Sequence, residues 1–199
     1  MVEDPADFYS RNAEKQSRAM REENVSERFL DFRDDFADRI GSGKVLDAGC
    51  GPGRHTAYLR REGLDVLGVD ISEGSIEYAR ERFGGDFRVM DIRDLEFPDD
   101  EFDGVFCSAS IMFMGPGEME DALSELRRVL QGDGVLYVNF KIGEGRKTTE
   151  KWGSTVARYY VSVEEARRML ESAGFRIERE APPQGEEHSD FADFLCRPR

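Results

Sequence analysis

The sequence predicts an α/β fold in which a mostly parallel sheet is covered by helices on both faces. Three observations support this: short apolar runs alternate with amphipathic segments, the connections between them are short, and a glycine-rich turn directly follows the first apolar run. Such alternation is typical of βαβ units with right-handed crossovers. Ligands then bind at the carboxyl ends of the strands. These ends lie at residues 47–54, 70–72, 91–93 and 108–113.

The first forty residues predict helices that precede this sheet. Apolar side chains from Val25 to Ile40 recur at spacings of three and four residues, the period of an amphipathic helix. A Gly-Ser-Gly segment then interrupts the pattern. We expect residues 1–40 to form a helical cap and residues 41–199 to form the main domain, since single domains commonly span roughly 100–200 residues.

Five predicted strands and three predicted helices alternate through the middle of the chain. The strands are short runs rich in Val, Leu, Ile and Phe, typical of strands buried on both faces. They cover residues 44–47, 64–69, 87–90, 102–108 and 135–140. The helices cover residues 54–62, 73–83 and 118–130, and a Gly-Asp-Gly segment at 132–134 predicts a sharp turn.

The C-terminal part departs from this alternation. Residues 141–162 are polar and form a predicted insertion on the substrate side of the sheet. A helix over 163–173 is expected to end at Gly174, because glycine favours the left-handed conformation of a helix C-cap. Two strands at 175–179 and 191–196, joined through a Pro-Pro-Gln-Gly segment, predict an antiparallel hairpin at the sheet edge.

The charge balance bears on the partners that the chain can bind. Lys and Arg number 28 against 42 Asp and Glu, so the formal net charge is −14. An acidic surface repels phosphate backbones, which argues against nucleic-acid and anionic-membrane partners. Abundant carboxylates with few lysines also fit adaptation to high salt, in which case the charge reflects the solvent and not the substrate.

The sequence contains no predicted membrane span or secretion signal. The longest weakly polar run, residues 104–115, is shorter than the ~20 residues needed to cross a bilayer, and the N-terminus is acidic. We therefore expect a cytoplasmic protein. The widely spaced Cys50, Cys107 and Cys196 predict neither a disulfide framework nor a metal site. No sequence feature indicates the oligomeric state.

The strongest functional signal is the glycine-rich turn between the first strand and the helix after it. Gly49, Gly51 and Gly53 alternate there, and Asp47 precedes them. Glycine allows a tight turn and lets a ligand approach the backbone without meeting a Cβ. The N-terminus of the following helix adds free N–H groups that suit a carboxylate. The turn therefore predicts a ligand site.

Polar and small residues follow the next strands at the same edge. Asp70 lies about twenty residues past the glycines, where an acid that binds ribose hydroxyls is found in nucleotide-binding half-folds. Asp91 can accept a hydrogen bond from an adenine amino group, with Ile92 packing on the ring. Ser108 and Ala109, after the fourth strand, leave room for a bound ligand.

Together these segments resemble the class I S-adenosylmethionine-dependent methyltransferases. The resemblance covers roughly residues 40–180. It implies a Rossmann-like, doubly wound, mostly parallel seven-stranded sheet whose last strand is antiparallel. It also implies S-adenosyl-L-methionine as the cofactor and methyl transfer as the activity. The motifs do not identify the acceptor, which we expect to be a small molecule.

The resemblance also implies roles for residues at the strand ends. The glycines would line the methionine part of the cofactor, Asp70 would hold the ribose, and Ile71 would lie beside the adenine. Asp91 and Ile92 would frame the amino edge of the adenine, and Ser108 would lie near the sulfonium. The expected cofactor-binding residues are Asp47, Gly49, Cys50, Gly51, Gly53, Asp70, Ile71, Ser72, Asp91, Ile92, Arg93, Ser108 and Ala109.

Acceptor selection in this fold usually falls to segments added to the sheet. In residues 1–40, Tyr9 and Arg18 are candidates for closing over the cofactor. Residues 141–162 carry aromatic residues that either cover the pocket or pack on the domain, and a basic cluster that either meets an anionic acceptor or faces solvent. These are Trp152, Tyr159 and Tyr160, and Arg146, Lys147 and Lys151.

The catalytic residues stay unassigned at this stage. His55 and His188 are the only side chains with ordinary pKa values near neutrality. We expect His55 to pack behind the glycine turn and His188 to lie in an exposed loop, or else to serve as a base at the pocket rim.

Three other roles differ from methyl transfer to a small molecule. An NAD-dependent oxidoreductase would need glycine at position 54 of its G-x-G-x-x-G pattern, where this chain has Arg54. A non-catalytic partner that keeps the cofactor pocket is compatible with the missing base. Methylation of amide or nucleobase nitrogens is disfavoured, because Ser-Ala-Ser-Ile at 108–111 replaces the Asn/Asp-Pro-Pro-Tyr/Phe of such relatives.

Overall fold

A computed structural model describes residues 2–21, 25–183 and 191–199 of the chain. These residues form a seven-stranded sheet flanked by helices, together with a smaller three-stranded sheet. The helices are α1 (Pro5–Ala19), α2 (Glu27–Ile40), α3 (Arg54–Arg61), α4 (Glu73–Phe83), α5 (Pro116–Val129) and α6 (Val163–Ser172), with a short 3-10 helix at Ile111–Phe113.

The strands divide between the two sheets. In chain order they are β1 (Val2–Glu3), β2 (Lys44–Ala48), β3 (Asp65–Asp70), β4 (Phe87–Val89), β5 (Phe102–Cys107), β6 (Leu130–Lys141), β7 (Gly145–Lys151), β8 (Ser154–Tyr160), β9 (Phe175–Ala181) and β10 (Phe191–Pro198). The large sheet has the order β4-β3-β2-β5-β6-β10-β9, and the small sheet has the order β1-β8-β7.

The large sheet confirms the predicted fold. Strands β2 to β6 pair in parallel, whereas β10 runs antiparallel to both β6 and β9. The chain proceeds from β2 outward to β3 and β4, then returns to β5 on the other side of β2. Strand order therefore reverses between β2 and β5, and their carboxyl ends border the crevice where this architecture binds ligands.

Helices bury apolar side chains on both faces of the large sheet. On one face, Phe29, Phe32 and Phe36 of α2 pack with Phe106 and Tyr137 of the sheet. On the other face, leucines of α5 and α6 join the larger core cluster. Burial of each such side chain contributes about 1.5–3 kcal/mol of transfer free energy. Cover on both faces explains why the central strands appear in the sequence as continuous apolar runs.

The predicted helical cap at residues 1–40 contains two helices, which follow the short strand β1. α1 begins after Asp4, whose carboxylate caps the first turn, and it bends at Asn12, whose side-chain amide donates to the Phe8 carbonyl. α2 begins after Ser26, whose hydroxyl accepts a backbone N–H. α1 contacts α4 and β8, so it lies between the large sheet and the small one.

Residues 141–162 contain a β-hairpin that the expected elements lacked. β7 and β8 pair along their full length, and β1 adds to β8 in parallel. Trp152 and Gly153 form the two-residue turn with φ angles of 52° and 86°, as a type I′ turn requires. β7 is almost wholly polar, so it lacks the apolar run by which the other strands were predicted.

β6 is longer than expected at its start. Leu130 pairs with Phe102, so the turn predicted at 132–134 lies within the strand, at a shift in register. Gly134 suits this position, because a Cβ there would lie 2.5 Å from the Leu130 side chain. The glycines were predicted to form a sharp turn, whereas they form an irregularity inside a pairing strand.

The C-terminal elements follow the prediction closely. α6 is followed by Ala173 and then by Gly174, whose φ of 85° is left-handed, and β9 and β10 form the expected antiparallel pair. The expected connecting turn lies partly outside the described residues. All three cysteines are buried and free. Within the described ranges, no helix has the length and apolar character that a membrane span requires.

Candidate active site

A cavity of about 1090 Å³ opens at the carboxyl ends of the parallel strands. Its walls come from the loops after β2, β3, β4 and β5, from α1, and from the β7–β8 hairpin. Small-ligand pockets are commonly ~300–1,000 Å³ in volume. The cavity therefore has room for a nucleoside-sized ligand and a second small molecule.

The glycine turn forms one wall of this cavity. The N–H groups of Gly49 and Cys50 both donate to the Val69 carbonyl, at 2.8 and 2.9 Å, which fixes the turn on β3. Gly49 has a φ of 76°, and a Cβ there would lie 2.1 Å from the Ser110 hydroxyl. Gly51 is also left-handed, with a φ of 51°. The turn requires glycine at both positions, and backbone faces the cavity.

Asp70 lies at the end of β3, beside the glycine turn. One carboxylate oxygen accepts the Gly51 N–H and the other accepts the Ser72 N–H, each at 2.8 Å. Burial raises the pKa of Asp70, and these two hydrogen bonds act against that rise. A carboxylate has about four acceptor positions, so two stay available to a ligand. The carboxylate is thus held rigidly at the cavity wall.

The loops after β3 and β4 supply apolar and charged groups. Ile71 is 49% exposed on the cavity wall, an unusual exposure for a large apolar side chain. Asp91 pairs with Arg93 at 2.6 Å, and this guanidinium lowers the pKa of Asp91. Arg93 also contacts Glu118. Ile92 also lines the cavity, but most of its side chain is buried in the core, with an exposure of 3%.

The loop after β5 is strained and is held by a buried polar network. Ala109 has a φ of 52°, in the left-handed region that alanine rarely adopts. Its N–H donates to the Asn139 side-chain oxygen at 2.7 Å. The Asn139 amide donates to the Tyr137 hydroxyl at 3.1 Å, which donates to Asp193 at 2.7 Å. Ser108 and Ala109 both line the cavity, as expected from the sequence.

Two expected site residues lie behind the cavity wall and not on it. Asp47 is buried and accepts the Thr56 hydroxyl at 2.6 Å. Burial raises its pKa to about 7, while the Thr56 hydrogen bonds oppose the shift. Gly53 has a φ of 78°, and a Cβ there would lie 2.8 Å from both Ala79 and Phe87. These residues support the turn from behind instead of facing the cavity.

Cys50 and Ser72 line the cavity but use their side chains elsewhere. The Cys50 side chain packs in a small core cluster with Ile76, Ala79 and Phe87. Ser72 caps α4, where its hydroxyl accepts the Ser75 N–H at 3.3 Å. A ligand in the cavity therefore meets these residues through their backbone.

His55 has the packing role expected of it. Its ring lies 5.0 Å from that of Phe29 and 5.7 Å from that of Phe106. Burial, with the nearby charges of Arg33 and Arg54, lowers its pKa to about 3. The imidazole lines the cavity but is neutral and weakly basic at neutral pH. His188, the other candidate, lies outside the described residues.

α1 contributes five residues to the cavity wall, and two of them have polar side chains. Tyr9, a sequence candidate, lines the wall and packs edge-on against Phe113 at 5.3 Å. Arg18, the other candidate, is exposed and pairs with Glu14 at 2.6 Å. The structure adds Gln16, which faces Gly51 and whose side-chain oxygen is buried without a hydrogen-bond partner among the described residues. Nothing in its sequence position indicated this role.

The β7–β8 hairpin forms a further part of the cavity wall. Lys151 and Arg158 reach the cavity, and Arg158 was not anticipated from the sequence. Trp152 stacks on Phe8 of α1, with ring centroids 5.6 Å apart and planes within 6°, so it packs on the domain. The remaining candidates of this segment, Arg146, Lys147, Tyr159 and Tyr160, lie off the cavity wall.

Comparison with known proteins identifies the central part of the chain. Residues 46–138 match the model of a methyltransferase domain. Malonyl-[acyl-carrier protein] O-methyltransferase of Salmonella typhimurium is 37% identical over 93 residues, which cover 46% of this chain and 36% of that protein. Demethylmenaquinone methyltransferase of Clavibacter sepedonicus is 36% identical over 103 residues, covering 50% and 41%. The match thus spans less than half the length of these curated relatives.

A solved structure extends the similarity to the whole fold. The 1,6-didemethyltoxoflavin-N1-methyltransferase of Burkholderia thailandensis, with bound 1,6-didemethyltoxoflavin and S-adenosylhomocysteine, superposes with a TM-score of 0.70 at 18% identity. The alignment covers 100% of this chain and 92% of that one. Residues 46–138 therefore match a methyltransferase domain, and the sheet around them has the fold of the class I S-adenosylmethionine-dependent methyltransferases.

Proposed function

We propose that this protein binds S-adenosyl-L-methionine at the glycine turn and transfers its methyl group to a small molecule held in the same cavity. The carrying observation is the turn at Gly49–Gly51 with Asp70 fixed beside it by two backbone N–H groups. This arrangement offers bare backbone and a carboxylate acceptor on one wall, which matches a nucleoside with a polar tail.

The residues present fit the parts of this cofactor. The two free acceptor positions of Asp70 suit the ribose hydroxyls, since hydrogen bonds to a charged acceptor are the stronger kind. Ile71, exposed on the wall, offers an apolar surface to the adenine. The partnerless oxygen of Gln16, beside Gly51, suits the ammonium group of the methionine part. Asp91 accepts four hydrogen bonds from the backbone and guanidinium of Arg93, so an adenine amino group would bind there in competition with Arg93.

Methyl transfer mainly requires that the protein position the acceptor and the cofactor relative to each other. The bound cofactor would supply an activated methyl group on a positively charged sulfur. The chain's contribution is to hold the acceptor in line and to exclude water, and such orientation supplies up to ~7–11 kcal/mol in well-ordered systems. Residues 1–40 would cover the cofactor, and residues 141–162 would wall the acceptor side. The low pKa of His55 makes it a poor base, so an acceptor with a ready nucleophilic atom suits this site.

The test begins with binding and continues to turnover. Isothermal titration of the purified protein with S-adenosylhomocysteine and, in parallel, with NAD should give heat with the first ligand alone. Incubation with methyl-labelled cofactor and a small-molecule extract should then yield labelled products that gain the mass of one methyl group. Heat with NAD alone would assign the site to a dinucleotide enzyme.

A non-catalytic cofactor-binding role is the second candidate. It is favoured by one observation: on the described part of the cavity wall, the only histidine is buried and has a pKa of about 3. Tight binding of S-adenosylhomocysteine with no labelled product from any extract would support this role over catalysis. Labelled product from the wild type, lost when Asp70 is replaced by alanine, would exclude it.

A further inference from the structure

Outside the hairpin, the charged groups of the cavity wall have partners within the protein. Asp4 caps α1, and Asp70 accepts two backbone N–H groups. Asp193 forms an ion pair with Arg28 at 2.9 Å. Glu118 and Asp91 both form ion pairs with the Arg93 guanidinium. The acidic residues of the wall are therefore already engaged by the protein.

Arg158 differs from these groups. It lies on β8 and is 8% exposed, so its guanidinium is largely removed from water. Its neighbours are the Tyr9 hydroxyl and the Phe113 ring, whose centroid lies 5.9 Å away. Across residues 2–21, 25–183 and 191–199, Arg158 forms no salt bridge with a carboxylate. Burial of a charge without a counter-ion is unfavourable by several kcal/mol.

Lys151 adds a second cation to the same region. It ends β7 at the cavity wall, with its ammonium 4.3 Å from the Trp152 ring. Burial lowers its pKa, and the charges of Arg158 and Lys141 lower it further. Lys151, like Arg158, has no salt bridge within the described residues. With Lys141, three positive charges thus lie close together on the cavity wall of a protein whose net charge is −14.

The surroundings of this pair are apolar and aromatic. Tyr9, Met112, Phe113 and Phe191 line the cavity near the hairpin and the loop after β5. An anion bound here would meet a planar guanidinium and an ammonium, while its carbon skeleton would contact rings and a thioether. Pairing with a guanidinium suits carboxylate and phosphate oxygens, which accept two parallel hydrogen bonds.

We propose that Arg158 and Lys151 form the binding site for an anionic group, a carboxylate or a phosphate, on the apolar methyl acceptor. The inference rests on the proposed function, because it names the acceptor's chemistry at the part of the cavity wall that the hairpin forms. It also gives the hairpin a function that the sheet alone lacks. The many surface carboxylates would keep the protein in solution, whereas Lys151 and Arg158 would select the substrate.

The test is a titration that needs no turnover. Benzoate, phenyl phosphate, benzamide and benzylammonium are each titrated into the protein alone and into the protein saturated with S-adenosylhomocysteine, with heat and melting temperature as readouts. We expect one or both anions to bind with millimolar affinity, and benzamide and benzylammonium to bind at least about tenfold more weakly. Preference between the two anions distinguishes carboxylate from phosphate.

Three variants localise the binding. Arg158→Gln and Lys151→Gln should each weaken the bound anion by about tenfold or more, the loss of a charge-assisted hydrogen bond, and leave the affinity for S-adenosylhomocysteine unchanged. Lys147→Gln, a change of the same charge at an exposed position of β7, should alter anion affinity by less than about twofold. Circular dichroism and melting temperature check that each variant is folded.

The overturning results are distinct from a failure of the proposed function. The proposed anion site would be contradicted by any of three results: no binding of either anion, equal binding of benzamide, or unchanged anion binding in Arg158→Gln. If the wild-type protein does not bind S-adenosylhomocysteine or does not transfer a methyl group, the proposed function is wrong instead. Anion binding in the protein without cofactor would then still stand.

Discussion

The two ends of the cavity satisfy their polar groups in different ways. At the glycine-turn end, the Asp70 carboxylate is fixed by backbone N–H groups of its own and the neighbouring loop. At the hairpin end, Lys151 and Arg158 have no carboxylate partner within the described residues. The first end is thus satisfied by backbone geometry, and the second, in our proposal, by a bound anion. The comparison separates what belongs to the fold from what belongs to this protein's substrate.

Asp70→Ala is expected to give the largest effect and to act on the glycine-turn end alone. It removes two charge-assisted hydrogen bonds to the ribose, each contributing about 1.5–3 kcal/mol, so affinity for S-adenosylhomocysteine should fall by roughly 100-fold or more. Titration calorimetry measures the loss. The Asp70→Asn variant, which keeps one acceptor oxygen, should lie between. Undiminished affinity in the alanine variant would show that the ribose lies elsewhere.

Asp47→Asn tests how the buried carboxyl group behind the glycine turn affects the stability of the glycine-turn end. The folded pKa of about 7 lies above the ordinary value of 3.8, because burial disfavours the charged form. Between pH 4 and 7 the unfolded chain ionises at this residue while the folded chain stays protonated, so wild-type stability falls as pH rises. At about 1.4 kcal/mol per unit, the penalty reaches up to about 4 kcal/mol above pH 7.

Urea denaturation of wild type and Asp47→Asn at pH 4 and pH 8 measures this penalty. Asparagine does not titrate, so the variant should gain stability relative to wild type as pH rises, with most of the gain between pH 4 and 7. Asp121→Asn, at an exposed position of α5, is the matched control and should show no such trend. A difference between Asp47→Asn and wild type that is the same at both pH values would contradict the buried-acid assignment.

Gly49→Ala separates steric need from conformational need at the turn. The substitution places a methyl group 2.1 Å from the Ser110 hydroxyl at a φ of 76°, so both overlap and strain should act, together about 2–3 kcal/mol. Gly63→Ala is the control, because its φ is 93° but nothing lies within 4 Å of the added Cβ. It should cost only about 1 kcal/mol. Denaturation measures both, and equal losses would mean that contact with Ser110 is unimportant.

The same division between the two ends governs what the sequence could predict. The glycine turn, Asp70 and the central strands were predictable because local rules fix them: alternate glycines, apolar runs and an acid at a strand end. Gln16 and Arg158 reach the cavity through tertiary packing of α1 and β8, and no local pattern marks such residues. Asp47 and Gly53 belong to the same motif as their neighbours. The Asp47 side chain and the Cβ position of Gly53 nevertheless face the protein interior behind the cavity wall.

The hairpin was missed for a related physical reason. Its strand β7 is exposed and polar, so it has no buried face to impose a two-residue alternation. Its stability comes from pairing with β8 and from Trp152 packing on Phe8. The available local sign was the Trp-Gly turn, and tryptophan is an unusual residue in a left-handed position.

Phe8→Leu is expected to give the smallest effect and bears most directly on whether the two ends are independent. The variant removes a ring stacked on Trp152, and aromatic pairs contribute about 0.5–1.5 kcal/mol beyond their buried area. Trp152 is the only tryptophan of the chain, so its fluorescence reports the contact between α1 and the hairpin. Acrylamide should quench it more in the variant, with a modest loss of stability.

Affinity for S-adenosylhomocysteine in Phe8→Leu should stay within about twofold of wild type, because Phe8 lies off the cavity wall. Anion affinity should weaken instead, since the hairpin carrying Lys151 and Arg158 loses its anchor on α1. A fall in cofactor affinity comparable to that of Asp70→Ala would show that α1 couples the two ends, and that the cavity binds both ligands as one unit.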